Sequence, residues 1–311
     1  MDILLNSLYL LAGIGLLWKG ADLLVDGSKG LALKFGIRPL IVGLTVVAFG
    51  TSAPELFVSL VATFKDAEGM AVGNIIGSNM ANIALVLSVA ALIKPINCRR
   101  STLKIHLPFM LLTSVMFYIF SLNEYFSRIE GFILLLLLTC YIIYCAKTSK
   151  DADTVRNNQP SKSKLHYIGK TVAGCAGVVL GADLLVMGGI FWARHYGIDE
   201  IVIGLTVFAV GTSLPELATS VSAMLKGDDD ISLGNIVGSN IQNVALVIAI
   251  IGCISTLKIP AIALKIDFPV MIGLSCLLYG ILYFSKKLNR KSGVTFLLLY
   301  IIYIVHLYYR N

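Results

Sequence analysis

The sequence predicts an all-α membrane protein of ten transmembrane helices arranged as two inverted five-helix repeats. Three observations carry that expectation. The 311-residue chain is 57% hydrophobic and only 14% charged, with a mean hydropathy of +0.84, too little polar surface for a soluble domain of this size. Apolar runs recur along its whole length, several of them reaching the ~20 residues a helix needs to cross hydrocarbon. The chain is also written twice. Gly20-Ala-Asp-Leu-Leu-Val25 returns as Gly181 to Val186, and Gly43-Leu-Thr-Val46 as Gly204 to Val207. Gly50-Thr-Ser-Ala-Pro-Glu-Leu56 returns as Gly211 to Leu217, and Gly73-Asn-Ile-Ile-Gly-Ser-Asn79 as Gly234 to Asn240. Every pair is offset by 161 positions, so 20–87 aligns with 181–248 without a gap, the signature of a duplication.

The spans read in order as 3–30, 39–64, 70–93, 104–122 and 128–146, then 166–193, 200–225, 231–254, 264–284 and 292–309. The two units are thus 1–146 and 166–311, joined by the polar segment 147–165, whose Asp, Asn, Ser, Lys and Pro160 read as a linker. Basic residues cluster on one side of this topology: Lys29, Lys34 and Arg38; Lys94, Arg99, Arg100 and Lys104; the linker; Lys226; and Lys286, Lys287, Arg290 and Lys291. The other side holds Lys65, Arg128, Arg194, Lys258, Lys265 and Arg310. The positive-inside rule therefore puts both termini outside and the linker in the cytoplasm of a cell with this protein in its inner membrane. An odd number of spans per repeat forces the second copy to enter from the opposite face. Inverted repeats of this kind are common among secondary transporters, whose sites lie near the midplane.

The net charge of +7 sits in these loop clusters, not on a binding face, which argues against nucleic acid. The apolar stretch Met1 to Leu17 is followed by Lys19, Asp22 and Asp26 with no small-residue cleavage site. Six scattered cysteines and four scattered histidines lack metal-ligand spacing. No phosphate-binding Gly-x-x-x-x-Gly-Lys motif is present. No cofactor and no obligate protein partner are implied.

Glu55 and Glu216 fall in the middle of the second and seventh spans with no basic residue beside them. A carboxylate at that depth costs at least ~2.5 kcal/mol and marks a functional site by default. Each follows a proline, Pro54 or Pro215, which deprives the carbonyl of Gly50 or Gly211 of its helical partner. The expected result is a kinked helix with hydroxyls and carbonyls beside a carboxylate, an oxygen set suited to hard cations. Irregular backbone at this depth is tolerated only where it is buried or lines a cavity. On the third and eighth spans, Ser78 and Asn82, like Ser239 and Asn243, are four apart and share one face. Gly73 and Gly77, with Gly234 and Gly238, allow close helix approach. Asn79 and Asn240 read as bridges between helices, and Asp22 and Asp183 as structural or gating groups. Two carboxylates ~6 Å apart at an effective dielectric of ~20 repel by roughly 3 kcal/mol, so protons are expected to compete with cations for them.

Gly-Thr-Ser-x-Pro-Glu followed by Gly-Asn-x-x-Gly-Ser-Asn, present twice, resembles the two alpha repeats of the sodium/calcium exchanger branch of the cation/calcium antiporter superfamily, in a compact prokaryotic form. The resemblance implies exchange of Na⁺ for Ca²⁺ by alternating access, with both ions as cargo. It makes Glu55 and Glu216 the central ligands, with Thr51, Ser52, Thr212 and Ser213 supplying oxygens on the same helices. Ala48 and Ala209 would offer carbonyls, and Ser78, Asn82, Ser239 and Asn243 would complete the site. Some prokaryotic exchangers that this chain resembles carry Asp where Asn243 stands; here the set has two carboxylates and no third titratable group. Spacing alone leaves an H⁺/Ca²⁺ antiporter open. An enzyme is not expected: neither Ser52 nor Ser213 lies in a nucleophile elbow.

Overall fold

The computed structural model describes residues 2–65, 67–148, 162–196 and 211–310. They are nearly all helical. In the first copy α1 (Asp2–Phe35) is followed by α2 (Pro39–Thr51), α3 (Ala53–Phe64), α4 (Glu68–Ile93), α5 (Thr102–Phe120) and α6 (Arg128–Thr148). In the second come α7 (Lys164–His195), α8 (Leu214–Leu225), α9 (Asp229–Ile254), α10 (Ala263–Ser285) and α11 (Arg290–Arg310). Among the described residues eight helices are long and apolar enough to cross a bilayer, and α2 with α3 makes a ninth span bent by 44°. The tenth expected span, 200–225, is described only from Gly211 onward, where α8 forms its second half. Most helices run a few residues past the limits read from the sequence, most clearly α1, which continues to Phe35 before Gly36 ends it with φ of +66°, whereas α2–α3 keeps the limits 39–64 and α5 stops at Phe120, short of 122.

α4 and α9 are buried almost all round, whereas α6, α7 and α11 present most of their residues outward. Exposed Leu136, Ile143, Leu180, Leu298 and Ile302 on those outer helices need an apolar solvent, which the bilayer supplies. The chain is a multi-pass membrane protein.

Two short ladders tie the copies together. Strand β1 (Ile96–Asn97) pairs antiparallel with β4 (Lys287–Leu288), and β2 (Tyr125–Phe126) with β3 (Leu257–Lys258). Ile96 lies opposite Leu288 and Leu257 opposite Phe126, and Ile96 and Leu257 are themselves one repeat apart. Each ladder therefore joins a loop of one copy to a loop of the other. α1 and its counterpart α7 pack along a glycine seam. A Cβ on Gly13 would lie 2.8 Å from the Gly181 carbonyl oxygen, one on Gly20 2.6 Å from the Val178 nitrogen, and one on Gly27 2.6 Å from the Thr171 nitrogen. As the α1 number rises the α7 number falls, so these two helices run antiparallel with their backbones nearly touching.

Ion pairs gather on one face of the bundle. Lys29 pairs with Asp228 at 2.7 Å and Arg99 with Asp230 at 2.8 Å; Lys226 reaches Asp22 at 3.0 Å and Asp26 at 2.9 Å, and Lys170 reaches Asp26 at 3.3 Å. The basic loops that the charge pattern assigns to a common side are together in space. Asp22, read as structural, is held by Lys226 and by a 2.8 Å bond from Ser222; its counterpart Asp183 is exposed.

Candidate cation site

Glu55 and Glu216 sit in the first turns of α3 and α8, each directly after a helix break. Ser52 has φ −83° and ψ 8°, and Ser213 φ −89° and ψ 4°. Both are in the sparsely populated bridge region, with Pro54 and Pro215 inside the first turn beyond. The kink expected from proline is thus realised at α2–α3, and the same local backbone recurs before α8.

Both carboxylates are fully buried, with 0% exposure. Among the described residues no Lys, Arg or His forms an ion pair with either one. The copies meet at these groups. Ser52, three residues before Glu55, donates to Glu216 Oε1 at 3.1 Å, and Ser239 on α9 donates to the same oxygen at 3.2 Å. Thr51 Oγ1 lies 3.4 Å from Ser239 Oγ, and the counterpart pair Ser78 Oγ and Thr212 Oγ1 is also 3.4 Å apart. These five hydroxyls and two carboxylates belong to one cluster built from α2, α3, α4, α8 and α9.

Several acceptor oxygens in that cluster have no donor among the described residues: both oxygens of Glu55, Glu216 Oε2, Asn82 Oδ1 and Asn243 Oδ1. The two amides are held that way. Asn240 Nδ2 donates to the Asn79 carbonyl at 3.2 Å, so its Oδ1 is left to accept from Asn82 Nδ2 at 3.0 Å. In the reciprocal set, Asn79 Nδ2 donates to the Asn240 carbonyl at 3.4 Å, and its Oδ1 accepts from Asn243 Nδ2 at 3.1 Å. Asn79 and Asn240 bridge the helices as expected, and in doing so leave each partner with a bare carbonyl oxygen. Asn82 and Asn243 each open a π-helical turn, Asn82–Val86 and Asn243–Ile248, the local irregularity that often accompanies functional sites.

Of the residues singled out in the sequence, Glu55, Glu216, Thr51, Ser52, Ser78, Asn82, Thr212, Ser213, Ser239 and Asn243 are all buried in this region. Ala48 is at hand, but its carbonyl already accepts from the Ser52 N–H at 2.9 Å and lies 3.2 Å from Thr51 Oγ1. Ala209 lies outside the described residues. Gly234 and Gly238 provide the expected close approach, since a Cβ on them would meet the Leu40 and Leu44 carbonyl oxygens at 2.8 and 2.5 Å. The positions equivalent to Leu40 and Leu44, 201 and 205, are outside the described residues.

Four residues of the cluster went unnoticed in the sequence. Asn74 donates to the Glu55 carbonyl at 3.3 Å and to Ser59 Oγ at 2.9 Å, and Asn235 donates to the Glu216 carbonyl at 3.5 Å and to Ser220 Oγ at 3.1 Å. Asn74, Ser59, Asn235 and Ser220 occur at the same 161-residue offset. That repetition was the available signal. Their amides hold the first turn of each carboxylate helix against its neighbour.

No group of three or more His, Cys, Asp or Glu able to hold a metal ion exists among the described residues. A cation here would rest on two carboxylates and neutral oxygens. Such an all-oxygen set suits hard ions.

A family model described as sodium/calcium exchanger protein matches residues 5–147 and 166–309. The chain belongs to the sodium/calcium exchanger family. It is 33% identical to the sodium/calcium exchanger MaX1 of Methanosarcina acetivorans, over 99% of each chain. It is 36% identical to the putative antiporter CaxA of Alkalimonas amylolytica, over 96% of this chain and 98% of that one. A solved structure of the sodium-calcium exchanger NCX_Mj, soaked with 10 mM Na⁺ and 10 mM Sr²⁺, superposes with a TM-score of 0.87 at 33% identity, over 97% of this chain and 98% of that one. These relatives are named as exchangers or putative antiporters, and the chain shares the membrane fold of NCX_Mj.

Proposed function

We propose that the protein exchanges Na⁺ for Ca²⁺ across the cell's inner membrane by alternating access, with Glu55 and Glu216 as the central ligands. The observation that carries this reading is the pair itself. Two wholly buried carboxylates, one from each copy, meet where Ser52 of the first copy donates to Glu216 of the second, and no Lys, Arg or His among the described residues pairs with either. A buried carboxylate without a partner is strongly destabilising; a pair of them is matched by one Ca²⁺ or by two Na⁺. Asn82 Oδ1, Asn243 Oδ1 and the hydroxyls of Thr51, Ser52, Ser78, Thr212, Ser213 and Ser239 complete the set, with backbone carbonyls near Ala48 and Ala209.

The same reading treats 1–146 and 166–311 as inverted repeats of five spans each, ten in all. The antiparallel course of α1 and α7 and the reciprocal β ladders support the inversion. Both termini then lie outside and the 147–165 linker lies in the cytoplasm, on the face where Lys29, Arg99, Lys170 and Lys226 gather. Exchange needs two states that expose the site in turn.

The deciding experiment is uptake of radiolabelled Ca²⁺ into proteoliposomes loaded in turn with Na⁺, K⁺ or H⁺ at matched driving force. Uptake driven by Na⁺ alone is expected. Uptake driven by H⁺ and indifferent to Na⁺ would make the protein a proton/calcium antiporter using the same carboxylates.

A further inference from the structure

The ladders β1–β4 and β2–β3 are one local structure built twice. The Cys98 N–H donates to the Lys286 carbonyl at 2.9 Å, and the Ile259 N–H donates to the Glu124 carbonyl at 2.8 Å. Lys286 and Glu124 are also the two non-glycine residues with positive φ among the described residues, at 56° and 67°. The side chains differ sharply in charge. Lys286, Lys287, Lys291 and Arg100 border the first ladder, and the equivalent positions at the second hold Glu124, Tyr125, Ile129 and Ala261. Lys104 alone is matched, by Lys265. The same backbone forms with and without these charges, so the ladder's own fold does not require them.

The positive-inside bias accounts for the sign of these loops, but charges spread over any loops of that face would satisfy it. Here the pairing of β1 with β4 sets the loop before α5 beside the loop before α11. Arg99, at the inner edge, is taken by Asp230 at 2.8 Å, and Arg290 turns inward to the Ile93 carbonyl at 3.2 Å. Arg100, Lys104, Lys286, Lys287 and Lys291 are exposed, and among the described residues no carboxylate pairs with any of them. Just before Lys286, the last turn of α10 turns Tyr283 and Phe284 outward, 58% and 85% exposed. Aromatic side chains at the end of a span sit at the headgroup level of a bilayer, which puts the neighbouring cations at the depth of lipid phosphates.

We propose that the β1–β4 face binds anionic phospholipid, with Lys286 and Lys287 at its centre and Arg100, Lys104 and Lys291 around them. Clusters of this size beside a membrane span attract acidic headgroups, and the adjoining aromatic pair favours a lipid over a free phosphate. A headgroup held there touches a loop of each copy and braces the junction between them. The surface lies away from the buried carboxylates and does not depend on which cation drives Ca²⁺ uptake.

The test titrates detergent-solubilised protein with phosphatidylglycerol or phosphatidylcholine and counts bound lipids by native mass spectrometry. With no bilayer present, a change of charge cannot act through insertion topology. Wild type is expected to bind its first phosphatidylglycerol more tightly than phosphatidylcholine. Lys286→Gln with Lys287→Gln should weaken phosphatidylglycerol about tenfold or more, the scale of two lysines beside an acidic headgroup, and leave phosphatidylcholine unchanged. Lys286→Arg with Lys287→Arg should keep the preference, and Lys258→Gln with Lys265→Gln, at the other ladder, should alter it by less than about twofold. Equal weakening for both lipids, equal weakening in the Lys258 and Lys265 double variant, or displacement of the lipid by glycerol phosphate at the same concentration would overturn the proposal. The exchange reading stands or falls separately, since no transport is measured.

Discussion

The two carboxylates come from the same motif and have different neighbourhoods. Glu216 receives two hydroxyl donors on Oε1, from Ser52 and Ser239. Glu55 has the equivalent serines, Ser213 and Ser78, yet among the described residues neither lies within hydrogen-bond distance of its oxygens, and Ser213 Oγ meets no partner there. One sequence pattern has produced a carboxylate with two hydroxyl donors and another with none among the described residues. A transporter that alternates between two exposures needs its halves to differ at any instant, because two identical halves in identical conformations would face both sides alike. If the protein works by alternating access as proposed, the difference at the two glutamates is a property of conformation laid over a repeated sequence. The bare oxygens of Glu55 are the stronger call for a cation in this state.

Glu55→Gln and Glu216→Gln bring the largest effect expected. Each removes half of the site's negative charge, and Na⁺-driven Ca²⁺ uptake should fall by at least about 100-fold, consistent with the ~3 kcal/mol or more that breaking a buried charged site costs. The variants keep the size and polarity of the side chain, so detergent-solubilised protein should stay folded by size-exclusion profile and thermal melt. Uptake that survives either substitution would show that one carboxylate is dispensable and would end the two-carboxylate account.

Ser52→Ala and Ser213→Ala address the asymmetry directly. Ser52 makes a charge-assisted bond worth about 1.5–3 kcal/mol, so its loss should raise the half-saturating Ca²⁺ by roughly 10- to 100-fold. Ser213 makes none here, and its loss should cost several-fold less. Equal losses would mean that Ser213 binds Glu55 for as much of the cycle as Ser52 binds Glu216. Asn74→Ala and Asn235→Ala extend the comparison. Their bonds to the Glu55 and Glu216 carbonyls and to Ser59 and Ser220 match within 0.2 Å, but Asn235 Oδ1 also accepts from Thr51 Oγ1 at 3.1 Å, so Asn235→Ala should lower thermal stability by about 1 kcal/mol more than Asn74→Ala, and coincident melts would show that the Thr51 bond contributes nothing.

Parts of this comparison were legible in the sequence. A carboxylate in an apolar span has few reasons to exist, so Glu55 and Glu216 stand out without any structure, and a proline one residue earlier marks the break that surrounds them. The duplication adds its own logic, since whatever both copies keep is a candidate. That logic is blind in two directions. It discards Lys286 and Lys287, because Glu124 and Tyr125 stand in their places, and it cannot see how Glu55 and Glu216 differ, because their motifs are the same. Asn74 and Asn235 were repeated but ambiguous. A buried asparagine can bridge, cap or ligate, and only the distances to the Glu55 and Glu216 carbonyls choose among these. The Ala48 carbonyl illustrates a further limit of reading kinks. Proline says that a carbonyl will be freed, but the turn at Ser52 then re-engages neighbouring ones, and here the Ser52 N–H takes that of Ala48.

The smallest expected effect concerns the faces, not the centre. Lys226 joins Asp22 and Asp26 of α1 to the end of α8, while the equivalent residues of the other copy, Lys65 and Asp183, are both exposed. Where the first arrangement has Ser222 donating to Asp22, the second has Val61 at the equivalent position, which cannot donate at all. α1 is therefore tied at the basic face, and among the described residues no equivalent ion pair joins α7 to α3. The ties are partly exposed, with Lys226 28% and Asp26 46% accessible, so salt and solvent limit them to about 1 kcal/mol or less. Lys226→Ala should lower the thermal midpoint slightly and less at high salt, where the pairs are already screened, while Lys65→Ala should change it by less still. If the pairs also hold α1 in one of two positions, Lys226→Ala should speed opening toward the basic face. Protection of a cysteine placed on α8 near that face, read by thiol labelling with and without Ca²⁺, measures that opening. Identical labelling in Lys226→Ala and Lys65→Ala would reduce the ion pairs to surface decoration and confine the difference between the copies to the carboxylates.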